Sequence, residues 1–380
     1  MKHSGCLVAF LFVFSFLQKN AIAQKLSDAN ASENAQKLYK NLLAVVDRNQ
    51  YLVGHQDDLA YGVHWKYKKG RSDIKDVVGD YPAVYGWELS GIELGKSVNI
   101  DSVPFDKMRN YIREGHARGG VITISWHLHN PLNGATAWDT THGSVRAILR
   151  DARTLTVFVN YLDKVADYLQ TLTDKNGIAV PILFRPFHEL TGNWFWWGRQ
   201  GGSPEELQEL FRFTVDYLRH ERQLHNLIIV YNTSDNFQDS TEFLRGYPGN
   251  DYCDILSFDT YQYGSTETAA KKFSDNLSTH LELMQKIALQ HRKIMSVAEM
   301  GFNQIPVGNW FTKTVAPVLN RYPVAYVLFW RNAGYKPNDG ADEYYVPYKG
   351  HASAKDFQDY YQSTHTLFEK DWRKEAFRDK

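Results

Sequence analysis

Residues 179–206 carry the pattern on which the fold reading turns. Ala179-Val180-Pro181-Ile182-Leu183-Phe184 is a short apolar run, residues 185–202 follow without periodicity, and Ser203-Pro204-Glu205-Glu206 then opens a helical stretch. The run is strand-like, being too short for a buried helix and long enough for a strand covered on both faces. The serine supplies an N-cap, the proline a preset first helical residue, and Glu206 the reciprocal partner of a capping box. Strand, loop and amphipathic helix are thus written into one segment.

The same unit recurs along the 380-residue chain. Strands are expected at 51–54, 83–87, 121–126, 179–184, 227–231, 254–258, 294–298 and 324–330. Between them, Phe105, Met108 and Ile112 share a helical face that ends at Gly119-Gly120, and Phe158, Leu162, Val165, Leu169 and Leu172 form a longer stripe. Strand, crossover helix and parallel strand, repeated eight times, close into a (β/α)₈ barrel, the α/β fold known as the TIM barrel. An open doubly wound sheet is the alternative, but no glycine-rich phosphate turn follows the first strand. Ala35, Leu38, Leu42 and Val45 lie at helical spacing, so a leading helix from Ser32 is expected to cover one end. With no low-complexity linker or short-period repeat, a single domain over 24–380 is expected.

Residues 1–23 read as an export signal. Lys2 and His3 precede an apolar stretch over 6–17, and Ala21-Ile22-Ala23 offers a small-residue cleavage site. The stretch is too short to span a bilayer, and Cys6 opens it rather than closing it as a lipid-modified cysteine would. The expectation is an exported protein, periplasmic or secreted after cleavage near Ala23, without a membrane anchor. Cleavage leaves Cys253 as the sole cysteine, so no internal disulfide is available and the core alone carries stability. Acidic and basic residues number 43 each, which gives no electrostatic reason for nucleic acid or an anionic membrane as partner. A neutral ligand fits better. Aromatic residues make up 14% of the chain, and their clustering at 194–197 suggests stacking surfaces for sugar rings in addition to a core.

Glu189 sits among Trp194, Phe195, Trp196 and Trp197. A carboxyl walled by indoles has its charged form disfavoured and becomes a proton donor at neutral pH. Glu299 directly follows the apolar run 294–298 and so ends strand seven, as Glu189 ends strand four. A closed barrel brings both strand ends to one rim. At about 5 Å separation, one carboxylate attacks a sugar while the other protonates the leaving oxygen, with net retention. A lone glutamate at a strand end is ordinarily a solvated rim residue or an ion-pair partner, and the pairing weighs against that. The long loops 128–144, 191–202 and 332–350 each follow a strand, on the face where barrel active sites are built. His127, His129 and His188 match no standard zinc spacing such as His-Glu-x-x-His, so neither metal nor cofactor is expected. A non-catalytic sugar-binding protein would keep the tryptophans and need neither glutamate.

Phe184-Arg185-Pro186-Phe187-His188-Glu189 with Gly192 and Trp194 to Trp197, Ser125-Trp126-His127 with Asn130-Pro131, and Ala298-Glu299 together resemble the glycoside hydrolase family 26 β-mannanases, over nearly the whole mature chain. The resemblance implies a (β/α)₈ barrel and retaining double displacement at β-1,4-mannosidic bonds. The substrate would be β-mannan polysaccharide, galactomannan, glucomannan or mannooligosaccharides. It makes Glu189 the acid/base and Glu299 the nucleophile, has His188 contact sugar, selects His127 over His129, and has Tyr261 hydrogen-bond the nucleophile. Arg185, on the strand of Glu189, is expected to face the interior and keep a carboxylate ionised. Trp194 and Trp330 are expected stacking platforms on either side of the cleavage point, and Trp87, Trp126, Trp196 and Trp197 are expected to be packing. A monomer is expected. Two neighbouring readings are an exo-acting, mannobiose-releasing enzyme with a walled-off cleft and a β-glucanase or xylanase on the same scaffold.

Overall fold

The computed structural model describes residues 25–376, and the export-signal reading lies outside them. Helix α1 (Glu33–Asp47) begins at Ser32, whose hydroxyl accepts from the Ala35 amide at 3.3 Å, and buries Ala35, Leu38, Tyr39, Leu42 and Val45. Eight parallel strands follow: β1 (Tyr51–Gln56), β2 (Val84–Glu88), β3 (Val121–Ser125), β4 (Ile182–Arg185), β5 (Leu227–Ser234), β6 (Ile255–Tyr261), β7 (Ile294–Gly301) and β8 (Val324–Phe329). Each pairs with its neighbour in sequence, and β8 pairs back onto β1 from Leu52↔Tyr326 to His55↔Phe329. The sheet is therefore a closed (β/α)₈ barrel. A two-residue strand β9 (Thr366–Leu367) adds to β1 where β2 has not yet begun.

The barrel interior is filled by Leu52, Val84, Val121, Leu183, Ile228, Val230, Ile255, Ala298, Tyr326 and Leu328, in one cluster with the apolar face of α1. That helix therefore seals the barrel at the N-terminal ends of its strands. Space inside is tight: a Cβ on Gly54 would stand 2.7 Å from the Leu328 side chain and 2.8 Å from Val84, which only glycine avoids. A second, larger cluster lies between the strands and the outer helices. The helix after β4, Pro204–Asp216, starts with the capping box read from the sequence, both reciprocal bonds being present.

The fourth strand begins three residues later than its apolar run, because Ala179 bridges antiparallel to Thr173 and Pro181 has no N–H to give to a ladder. Strands β5, β6 and β7 instead run past their apolar stretches, through Ser234, Tyr261 and Gly301. Those polar extensions form the C-terminal mouth of the barrel. No helix among the described residues is long and apolar enough to cross a membrane.

Candidate active site

Strict alternation along β7 would send Ala298 and Glu299 to opposite faces. Ala298 packs in the barrel interior, so alternation alone would turn Glu299 outward. The pairing with β6 slips at this point: Phe258 faces Val297 while Asp259 faces Glu299, leaving Ala298 as an extra residue. The resulting β-bulge re-aims the next side chain. Glu299 therefore also enters the mouth, where it is 4% exposed and accepts from Arg185 Nη2 at 2.5 Å and from Tyr261 Oη at 2.8 Å.

Glu189 arrives by a different device. Strand β4 stops at Arg185, and the turn after it holds Phe187 and Glu189 in the left-handed region, at φ +53° and +52°. Non-glycine residues stay there only when surrounding structure enforces it. The turn brings the Glu189 carboxyl back over the mouth. One carboxyl oxygen from each of Glu189, Asp259 and Glu299 lies within 4.8 Å of the others, close to the separation of about 5–5.5 Å at which two carboxyls support retention. Trp194 Nε1 donates to Glu189 Oε2 at 2.6 Å. Burial and then the charge of Glu299 raise the Glu189 pKa to about 7, against the opposing pull of the Trp194 hydrogen bond. By exposed area Glu189 is only partly buried, since it lines the cleft, but its carboxyl group is deep among protein atoms.

Beneath the two glutamates lies a buried polar layer. Arg185 Nη1 donates to Asn232 Oδ1 at 2.8 Å and reaches Asp259 Oδ2 at 3.3 Å. Burial disfavours its charge, but Asp259 and Glu299 outweigh this and hold it firmly protonated. Asp259 is pushed well above the usual carboxylate range, first by burial and then by Glu299. One guanidinium thus bonds two of the three carboxyls, and burial favours the protonated forms of Glu189 and Asp259. Among the described residues this is the single grouping with the geometry to hold a metal ion. It fits one poorly, because a cationic guanidinium already bonds two of the three members.

His127 follows β3 and is held by Glu88 at the end of β2, which accepts from its Nδ1 at 2.8 Å and its backbone N–H at 2.7 Å. Its Nε2 meets His188 Nε2 at 3.0 Å, so one ring donates and the other accepts. Burial opposes charge on His127, yet Glu88 raises its pKa. His188 is lowered well below the ordinary value by burial, then by His127 and Arg185. His127 is therefore the more basic of the two rings. His129 is tied to Glu93 at 2.6 Å, a carboxylate that also accepts from Trp126 Nε1, and it takes part in loop anchoring. Trp87, Trp126, Trp196 and Trp197 are fully buried, the last two giving their indole N–H groups to Leu128 O and His188 O. Trp330 is partly exposed just past β8, with the Arg331 guanidinium 5.7 Å from its ring, and Arg331 in turn pairs with Asp101 and Glu343.

Four residues of the site escaped the sequence reading. Glu88, Asn232 and Asp259 each stand just after or within one residue of an apolar run, the same signal that singled out Glu299. Trp138 lies in the loop 128–144, stacks on His127 with centroids 5.1 Å apart at 16°, and is 48% exposed. Its loop is pinned by Asp139, which accepts from Asn130, Asn133 and Thr141.

This geometry can be set beside known proteins. The model of glycosyl hydrolase family 26 matches residues 27–297. A mannan endo-1,4-beta-mannosidase of Bifidobacterium adolescentis is 28% identical over 366 residues, covering 92% of this chain and 36% of its own, so the chain spans about a third of that relative. One of the same name from Bacillus subtilis is 30% identical over 277 residues, covering 68% of this chain and 73% of its own. The solved family 26 β-mannanase of Bacteroides ovatus superposes with a TM-score of 0.84 at 38% identity, over 90% of this chain and 96% of that one. A family match over most of the chain, joined to a barrel of the same shape with paired carboxyls at its mouth, makes this protein a member of glycosyl hydrolase family 26.

Proposed function

We propose that the protein is a retaining endo-β-1,4-mannanase acting on mannan, galactomannan, glucomannan or mannooligosaccharides, with Glu189 as acid/base and Glu299 as nucleophile. The observation that carries the reading is the pair itself: two carboxyls within 4.8 Å, one raised to about 7 and the other gripped by a guanidinium and a phenol. In the first step a Glu299 oxygen bonds to the anomeric carbon as the glycosidic bond breaks, and Glu189 gives its proton to the departing oxygen. The bond pair of the old linkage leaves with the aglycone, and a glycosyl ester on Glu299 remains. In the second step water adds to the anomeric carbon, Glu189 takes its proton, and the ester bond releases Glu299 as carboxylate. Two inversions give retention.

His127, Trp194 and Trp330 are the sugar contacts in this reading, with Arg185 and Tyr261 holding the nucleophile. His188, expected to touch sugar directly, is 1% exposed with its Nε2 on His127, and it acts through His127 instead. Trp138 adds a platform beside the acid/base. The endo mode rests on the names of the relatives, which are endo-acting enzymes. Residues 1–23 are proposed as a removed export signal and 24–380 as one catalytic, monomeric unit. The test compares wild type, Glu189→Gln and Glu299→Ala on mannan, mixed-linkage glucan and xylan, with the product anomer followed by NMR. The β anomer should form first from mannan, and both variants should lose about 10²–10⁴-fold or more in rate. An initial α anomer, or faster cleavage of glucan or xylan, would overturn the assignment.

A further inference from the structure

Asn232 is fully buried at the end of β5 and touches no part of the cleft surface. Its parity puts it there. Ile228 and Val230 belong to the interior cluster, and period-two alternation carries Asn232 inward one layer above them. Across the ladder it faces Ser257 of β6, and the buried side chains of Arg185 and Asp259 come within hydrogen-bond reach of it.

The carboxamide uses its full hydrogen-bonding capacity. Oδ1 accepts from Arg185 Nη1 at 2.8 Å and from the backbone N–H of Glu189 at 3.3 Å. Nδ2 donates to Asp259 Oδ1 at 2.9 Å and to Ser257 Oγ at 3.0 Å. The orientation of the amide is fixed chemically, since a reversed group would set its NH₂ against two obligate donors. One oxygen is therefore shared between the turn that carries Glu189 and the guanidinium that grips Glu299. The main chain of Asn232 assists, its carbonyl accepting from the Leu190 N–H at 3.4 Å. The held turn contains Glu189 at φ +52°, a conformation that needs an external tether.

We propose that Asn232 is a positioning residue which, through this shared oxygen, ties the Glu189 turn to the Arg185 anchor of Glu299 and so sets the register of the two carboxyls. The proposal rests on the retaining-mannanase reading above. No other side chain bonds both the backbone of the acid and the arginine of the nucleophile among the described residues. Because Asn232 is shielded from the cleft, its loss should act on the chemical step and leave sugar binding in place.

The test uses the full chain with Asn232→Ala, beside wild type and Glu299→Ala, on mannopentaose and on 2,4-dinitrophenyl β-mannobioside, whose leaving group needs no proton. On mannopentaose kcat should fall about a hundredfold, the scale of a misplacement near 1 Å, with KM changed by less than about threefold. The loss should shrink on the dinitrophenyl substrate, and the alkaline limb of the kcat/KM profile should move. Should Asn232→Ala fail to accumulate as folded protein, Asn232→Ser replaces it with the same readouts. A lowered Tm with kcat and pH limb both unchanged would reduce Asn232 to packing and overturn the proposal, as would equal losses on the two substrates. Wild-type protein inactive on mannopentaose, or Glu299→Ala retaining activity, would sink the mannanase reading itself and the proposal with it.

Discussion

Arg185 Nη2 lies 2.5 Å from Glu299 Oε1, with the arginine side chain 1% exposed and the glutamate 5%. A pair so shielded contributes little net stability compared with apolar residues, but losing one member strands the others. Arg185→Leu removes the cation that bonds both Glu299 and Asp259. It should cost about 3–5 kcal/mol of stability, read by urea unfolding at pH 7. Activity should fall further than with Tyr261→Phe, which removes one neutral hydrogen bond from the same carboxylate.

Glu189 makes stability depend on pH in a direction opposite to the usual acid. Its folded pKa, about 7, lies above the ordinary 4.5, so between those values the folded chain holds a proton that the unfolded chain has lost. Stability therefore declines as pH rises through that window and stays lower above it. Glu189→Gln cannot titrate. Its Tm should match wild type near pH 4.5 and exceed it at pH 8, by a gain on the order of 2–3 kcal/mol. Equal Tm values at pH 8 would contradict the raised pKa.

The Trp194 indole favours the charged form of Glu189 through its 2.6 Å hydrogen bond. In Trp194→Phe that bond is gone while an aromatic face remains, so the acid keeps its proton to higher pH. The alkaline limb of kcat/KM should move upward. A limb that moved down would mean that water entry, rather than the lost bond, governs the site.

Trp138 lies against His127 with nearly half its surface free. If it receives a sugar ring on the acid/base side, Trp138→Ala should raise KM for mannopentaose by about two- to tenfold, from a stacking contribution of about 0.5–1.5 kcal/mol. The kcat should change little. An unchanged KM would assign the indole to loop packing alone.

How much of this was legible in the chain differs by residue. The eight strands, the capped helix after β4 and the leading helix follow from local apolar periodicity and capping, which act over a few neighbouring residues. That Glu189 and Glu299 follow the apolar runs of β4 and β7 was legible for the same reason. Glu189 does not end its strand, however: β4 stops at Arg185 and the glutamate stands in the turn beyond it, while β7 runs on past Glu299 to Gly301. Sequence alone did not contain the bulge at Ala298, because that is a register between two strands. Alternation without it points Glu299 away from the mouth. Nor did it contain the left-handed turn at Phe187 and Glu189, which local preference disfavours and which hydrogen bonds to Asn232 of β5 help to hold. Asn232, Asp259 and Glu88 meet the partners described above across gaps of 25 to 74 residues, so their roles exist only once the barrel closes. Sequence determined which segments become strands and helices and where the carboxylates end up along them. Tertiary structure decided which way those carboxylates face and which carries the proton, because direction and desolvation are set by strand register and by groups distant in the chain.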